Sequence, residues 1–394
     1  MATTPLDAFP PELSDPNDQI RPGNFYARMH EQAPVRWDDA RGCWDAFGYE
    51  AVRRIASDHE RFSSRTDSNP DFVEPDGRSL LRDSMLHADP PRHDRLRSIV
   101  DDWFKPSELT ELRPFVERRA DALLDDALES AAARGNTTFD LVPTFSYPLT
   151  VAALAELLDI PSSDRDALLE WTKFSMTASF DVEDAETRRS SLLDYLEAMI
   201  TDNGERSRAG LPTAVANADG LSLADRRNLL SVVLLGGLST THLIDNAVWS
   251  IAEADVFDAV RSDADAVGAA VEETLRYRSP VQAASRYAVA EADVGGVTVE
   301  QGDKLCVWFA AANRDPAVFD VPGRFDLGRR PTHHVAFGHG THYCLGAALA
   351  RLVTTTALDV FLDRFEDVTV HDDRVEPTGS MLLSGPSTLP VTVA

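Results

Sequence analysis

Residues 229–251 read LLSVVLLGGLSTTHLIDNAVWSI, with Asp245 and His242 as their only ionisable side chains. A helix of this sequence has no polar face to turn to water, so other elements have to surround it. Its most apolar run, Leu229 to Leu238, is far short of the roughly 20 residues a membrane span needs. The expectation is a soluble, mainly α protein wrapped around one long buried helix, with Gly236-Gly237 as a weak point inside it.

The rest of the chain fits that plan. Residues 1–20 are rich in Pro and Asp and read as an extended tail, and 21–394 as one domain, since no repeat or linker interrupts them. VRWDDARGCWDAF, from Val35 to Phe47, alternates around Gly42 and predicts a two-stranded hairpin. A helix is expected over 50–56 and a long loop over 63–82, where turn formers dominate. Further helices are expected from Ser107 to a Gly135 cap, then over 150–158, 162–178, 185–201, 224–254, 264–277 and 345–364. In the last, Leu345, Ala348, Leu349, Leu352, Thr356 and Val360 follow i, i+3, i+4, i+7 and predict one buried face. Small sheets are expected at 285–310 and at the C-terminus, where LPVTVA alternates.

Charge narrows the partners. Against 65 Asp and Glu stand 38 Lys and Arg, a net charge of −27, and the only lysines are Lys105, Lys173 and Lys304. Nucleic acid, which requires a basic stripe, is excluded. Asp outnumbers Glu 43 to 22, a bias suited to a halophilic protein whose self-repulsion is screened by high salt; GC-rich coding is the alternative source. Cys43, Cys306 and Cys344 are an odd set for a disulfide framework, and with neither a basic n-region nor an apolar core near the N-terminus no signal peptide is expected. A cytoplasmic monomer is expected, with no membrane attachment.

The most specific segment is Phe337-Gly-His-Gly-Thr-His-Tyr-Cys344-Leu-Gly346, leading into the 345–364 helix. A thiolate just before a helix N-terminus is stabilised by the dipole and by free backbone N–H groups. Gly338, Gly340 and Gly346 permit tight turns and close approach of a flat group. On residues alone, two other readings stay open: an inert buried cysteine, or a zinc cluster of His333, His334, His339, His342 and Cys344.

This segment closely resembles the haem-binding loop of the cytochrome P-450 superfamily, F-G-x-G-x-H-x-C-x-G, and matches it completely. Other family features follow in order over residues 25 to 394. The resemblance implies the cytochrome P-450 fold, α with small β-sheets, and haem b with Cys344 as axial ligand to its iron. Phe337, Gly338 and Gly346 would line the cofactor. Glu273 and Arg276 match the E-x-x-R motif, with Arg324 of Pro322-Gly-Arg-Phe325 as third partner in a buried ion network. His93, Arg97, Arg286 and His342 match the donors to the haem propionates. Thr240 aligns with the threonine that hydrogen-bonds dioxygen and helps deliver protons, beside Gly236 where the helix opens.

One position departs from the pattern. Ser239 stands where the family usually has Asp or Glu, and a hydroxyl passes a proton but cannot store one. Asp245 and His242 lie about 140° and 160° around the helix from Thr240, which makes them poor substitutes. The resemblance further implies a substrate pocket from Asp71, Phe72 and Val73, from Val232, Leu235 and Gly236, from Val281 to Ala284, and from Met381, Leu382 and Leu383. A small lipophilic substrate is expected, with Arg65 or Gln282 as a polar anchor. The implied activity is hydroxylation or epoxidation with O2 and electrons from a ferredoxin-type donor and its reductase, docked near Lys105. The alternatives are a peroxide-dependent oxidase of the same fold and, from another class, a haem-binding sensor or a zinc protein.

Overall fold

The structure, a computed structural model, describes residues 8–65, 80–81, 84–173, 185–201 and 210–394. Helices dominate. Before the long buried helix come α1 (Pro16–Ile20), α2 (Gly23–Gln32), α3 (Tyr49–Ser57), α4 (Arg92–Val100), α5 (Pro106–Leu109), α6 (Arg113–Ala132), α7 (Tyr147–Leu157), α8 (Arg165–Thr172), α9 (Ala185–Thr201) and α10 (Leu211–Asn217). The buried helix itself is two, α11 (Leu223–Gly237) and α12 (Ser239–Glu253), followed by α13 (Phe257–Arg261), α14 (Ala264–Tyr277), α15 (Phe309–Ala312) and α16 (Ala347–Arg364).

The pair α11–α12 is long and apolar enough to cross a bilayer, yet 78% of its most apolar stretch is buried inside the molecule. It is the axis of the helical core: α7, α9 and α10 pack against α11, and α7, α13, α14 and α16 against α12. A capping box starts α11, with Ser222 accepting from the Asp225 amide and Asp225 accepting from the Ser222 amide. Of the expected stripe, Leu349 and Thr356 are buried in α16, together with Val353, Thr354, Ala357, Leu358, Phe361 and others, whereas Ala348, Leu352 and Val360, and Leu345 just before the helix, are half-buried. The expected stripe is therefore too narrow: α16 meets α6 on one side and α12 and α14 on others, so most of its circumference is covered.

The strands are β1 (Val35–Asp38), β2 (Cys43–Ala46), β3 (Phe62–Ser63), β4 (Thr138–Asp140), β5 (Ala284–Ala288), β6 (Ala292–Val294), β7 (Val297–Val299), β8 (Lys304–Val307), β9 (Val368–Val370), β10 (Glu376–Pro377), β11 (Pro386–Thr388) and β12 (Pro390–Val393). The largest sheet runs β1-β2-β8-β5-β3, with β2 and β8 parallel and the other pairs antiparallel. The predicted hairpin is its β1–β2 edge. β12 lies between β4 and β9 in a second sheet, while β6–β7 and β10–β11 form two ribbons.

The expected extended tail is corrected over its described part. Pro11–Leu13 is a 3-10 turn and Pro16–Ile20 a helix, capped by Asp15, which accepts from the Asn17 amide at 2.8 Å. Leu13 is fully buried in a cluster with Phe25, Tyr26 and Trp308, so burial outweighs the open-chain tendency of Pro and Asp.

Candidate functional site

Cys344 sits on a loop that three elements hold. The Cys344 amide donates to the Phe337 carbonyl at 2.8 Å, and the Gly346 amide donates to the sulfur. Gly340 has φ +71°, and a Cβ there would lie 2.8 Å from the Ala56 carbonyl oxygen, so only glycine lets the loop seat on the end of α3. Phe337 is stacked under Arg351 of α16 at 4.6 Å, and Arg351 makes a two-pronged pair with Glu272 of α14 at 2.5 and 3.0 Å. His334 adds a third contact to Glu272 at 3.0 Å. Burial pushes the Glu272 carboxyl up, but the hydrogen bonds from His334 and Arg351 outweigh it and hold the group at about 2. Sequence reasoning missed this clamp; its one signal was Glu272 beside Glu273, an acid on the next helix face.

Above the loop two arginines and two histidines gather, with His93 also 2.9 Å from Asp94. His342 and His93 pack ring to ring with centroids 4.5 Å apart, and Arg97 of α4 reaches over to donate to the Tyr343 carbonyl at 2.6 Å and to pair with Asp101 at 3.0 Å. Arg286 of β5 is buried, with its Nη1 donating to the adjacent Ser285 carbonyl at 2.7 Å, and burial pushes it down to about 10. His342 Nε2 is buried with no hydrogen-bond partner. Burial, then the charges of Arg286, His93, His87 and Arg97, drive its ring down to about 2. The four residues expected to meet propionates are therefore together, and their electrostatics fit a dianionic group: cations crowd a buried, partnerless nitrogen. The Cys344 thiol is itself raised by burial.

The buried helix is interrupted between α11 and α12. Leu238 donates to Leu235 and Thr241 to Leu238, three-residue steps that break the four-residue ladder. Ser239 Oγ donates to the Gly236 carbonyl at 3.0 Å, and Thr240 is buried. Nothing lies within 4 Å of a Cβ built on Gly236, which faces open space, whereas one built on Gly237 would lie 2.4 Å from Leu154 of α7. Beyond the interruption, Asn246 donates to the Arg278 and Ser384 carbonyls, both at 3.0 Å.

The Glu273–Arg276 pair has no exposed surface, with contacts of 2.9 and 2.7 Å. Arg324 is corrected as its third ionic partner: its side chain is 66% exposed and pairs with Asp326, and it contributes only its carbonyl, which accepts from Arg276 at 2.9 Å. The third partner is Arg329, 3.2 Å from Glu273. Gln282 is likewise corrected as a substrate anchor. It accepts from Tyr26 at 2.6 Å and donates to the Met381 carbonyl at 2.9 Å, which uses both ends of its amide.

Of the expected pocket, Val232 is buried and Leu235 half-buried on α11, and Val281 bridges to Leu383. Met381 and Ala283 are buried in the N-terminal cluster with Tyr26 and Trp308, and Leu382 packs against it. Asp71, Phe72 and Val73 lie outside the described residues. The zinc reading finds no support: among the described residues no three metal-ligating side chains converge. His333 stacks on Phe319, His334 pairs with Glu272 and His339 lies 3.5 Å from Arg53.

A family model described as Cytochrome P450 matches residues 261–393. Cytochrome P450 109 of Bacillus spizizenii is 32% identical, over 97% of this chain and 94% of that protein. Cytochrome P450 107B1 of Saccharopolyspora erythraea is 35% identical, over 93% and 94%. The crystal structure of the versatile cytochrome P450 enzyme CYP109B1 from Bacillus subtilis superposes with a TM-score of 0.83 at 30% identity, covering 95% of this chain and 100% of that one. The chain belongs to the bacterial-type cytochrome P450 family, whose members bind protoporphyrin IX haem and act as monooxygenases.

Proposed function

We propose that Cys344 would supply the thiolate that holds this haem's iron, that His93, Arg97, Arg286 and His342 would meet its propionates, and that the open side of the interruption at Gly236 receives a lipophilic substrate for hydroxylation or epoxidation. The observation that carries the reading is the buried, partnerless His342 nitrogen among cations beside Cys344. Bound haem supplies reductive activation of dioxygen, with electron donation from sulfur favouring O–O cleavage. The chain's own part is to hold and exclude. Phe337, fixed by Arg351, shields the sulfur from water; the Gly346 amide stabilises charge on it; and Thr240, buried at the interruption, offers a hydroxyl to pass protons.

One atom of dioxygen goes to the substrate and the other to water, with two electrons and two protons. The electrons come from a separate ferredoxin-type donor and reductase, docked near exposed Lys105, which pairs with Asp102 at 2.5 Å. A cytoplasmic location suits the cysteine usage, and the Asp-rich charge suits a halophilic cytosol. Two relatives support a lipophilic substrate. A 6-deoxyerythronolide B hydroxylase is 31% identical, and CYP109E1 from Bacillus megaterium, 26% identical with TM-score 0.85, was crystallised with testosterone. The reduced carbon monoxide complex of the wild type is expected to show the red-shifted Soret band of thiolate ligation. Cys344→Ser should lose it, and its retention would overturn the ligand assignment.

A second reading rests on Ser239, whose hydroxyl is already committed to the Gly236 carbonyl. A peroxide-driven oxidase needs no proton relay for dioxygen, and it would turn over with hydrogen peroxide and gain little from a ferredoxin pair.

A further inference from the structure

α7 and α12 run past each other in a fixed register. At one end the Ser146 hydroxyl lies beside the Asp245 carboxyl; at the other, Leu154 packs on Gly237. Ser146, in the turn just before α7, and Thr150 and Leu154 of α7 step by four residues, as do Asp245 and Thr241 of α12 and Gly237 at the end of α11 in the opposite sense. Thr150 and Thr241 are the middle residues of these two lines. This line ends at Gly237, where the buried helix is interrupted beside Thr240.

The side chains along it are unsatisfied. Asp245 and Thr241 have no exposure and Thr150 has 1%, yet Thr150 Oγ1, Thr241 Oγ1 and both Asp245 oxygens lack a hydrogen-bond partner. Ser146 directs its own proton to the Leu141 and Val142 carbonyls, both at 3.4 Å. Buried polar atoms are nearly always paired, and oxygens that find no protein partner are met by internal water. Burial drives the Asp245 carboxyl well above the carboxylate range; Ser146 pulls the other way, and Asp140 raises it further. Asp140, half-buried at the end of β4, is the charged side chain acting on Asp245 among the described residues. His242, on the adjoining face, is packed against Gly385 and kept neutral by burial.

We propose that this seam is an internal, hydrated proton path in which Asp245 stores the proton that Ser239 cannot and passes it along Thr241 and Thr150 to the interruption beside Thr240. In the forward step the Asp245 O–H bond breaks as a seam water takes the proton. That water releases another to the Thr241 hydroxyl, whose own proton moves on towards Thr240. The carboxylate left behind is reprotonated from solvent through the Asp140 end, so no oxidant or reductant is involved. The angular objection to Asp245 is met because Thr241 and Gly237 lie between it and Thr240 around the helix, at roughly 100° and 60°. The destination of the proton rests on the haem-thiolate reading; the store itself does not.

Infrared spectra of the full chain, with and without haem, test the store. At neutral pH a carboxylic-acid C=O band that shifts in D2O is expected, and it should vanish in Asp245→Asn. No such band in the wild type, or one that survives in the variant, would overturn the proposal. The path is tested in the loaded enzyme by the hydrogen peroxide released per reductant consumed and by the solvent isotope effect. Both should rise several-fold in Asp245→Asn and in the near-isosteric Thr241→Val. Ser250→Ala, another buried partnerless hydroxyl but on a different face, should match the wild type. If both path variants matched Ser250→Ala, the path would be refuted. Thr241→Val keeps the test open should Asp245→Asn fold poorly. A normal thiolate spectrum in these variants separates a failed path from a failed ligand assignment.

Discussion

A guanidinium buried without exposure has to find acceptors for its donors inside the protein. Arg276 finds them in both Glu273 oxygens and in the carbonyls of Asn313, Pro322 and Arg324. Removing the Arg329 contact leaves part of the Glu273 charge uncompensated, so Arg329→Ala should cost about 1–3 kcal/mol. Arg324→Ala should stay within about 0.5 kcal/mol, because its contribution is backbone. Urea midpoints of the two variants check the order, and a larger loss for Arg324 would contradict it. The motif's spacing made the Glu273–Arg276 pair legible, but two arginines five positions apart on one loop look alike until the chain turns. At Glu272 the sign is that of a depressed carboxylate. Its stabilisation is complete above its ordinary value of 4.5 and is lost as pH falls through about 2. Acid unfolding curves of Glu272→Gln should therefore be flatter than wild type between those values and parallel to it above them.

Local patterns carried most of the elements. Alternation gave the β1–β2 hairpin, and Gly135, at φ +77°, closes the turn after α6 as its position predicted. The features that stayed hidden depended on neighbours. The short helices before Ile20 result from the burial of Leu13 under residues near 25 and 308. Gly236-Gly237 announced a weak point but not its asymmetry, with one glycine open and the other pressed on Leu154. Gly237→Ala is expected to destabilise by about 1–3 kcal/mol through overpacking. Leu154→Ala in the same chain should recover part of that loss, and thermal melts of the single and double variants measure the coupling. Gly236→Ala should leave the melt nearly unchanged and alter substrate-induced spin shifts instead.

Across the whole molecule, a charge of −27 disfavours compaction, and ions screen it. Melting temperature and haem retention are expected to fall on dialysis into dilute buffer and to recover in concentrated potassium chloride; indifference to salt would reject the halophilic reading. The cation cluster of the site was legible only as four scattered residues matching a family pattern, because α4, β5 and the cysteine loop meet solely in three dimensions. The line from Ser146 to Leu154 against Asp245 to Gly237 bears on how such a chain can change over evolutionary time. Loops at its ends tolerate insertions, but one residue added or lost within either segment rotates every later residue of that helix by about 100°. A residue with a side chain would then take the place of Gly237 against α7, and Asp245 would turn towards apolar neighbours. Lineages descending from this protein can exchange residues along that line, but they inherit its length unchanged.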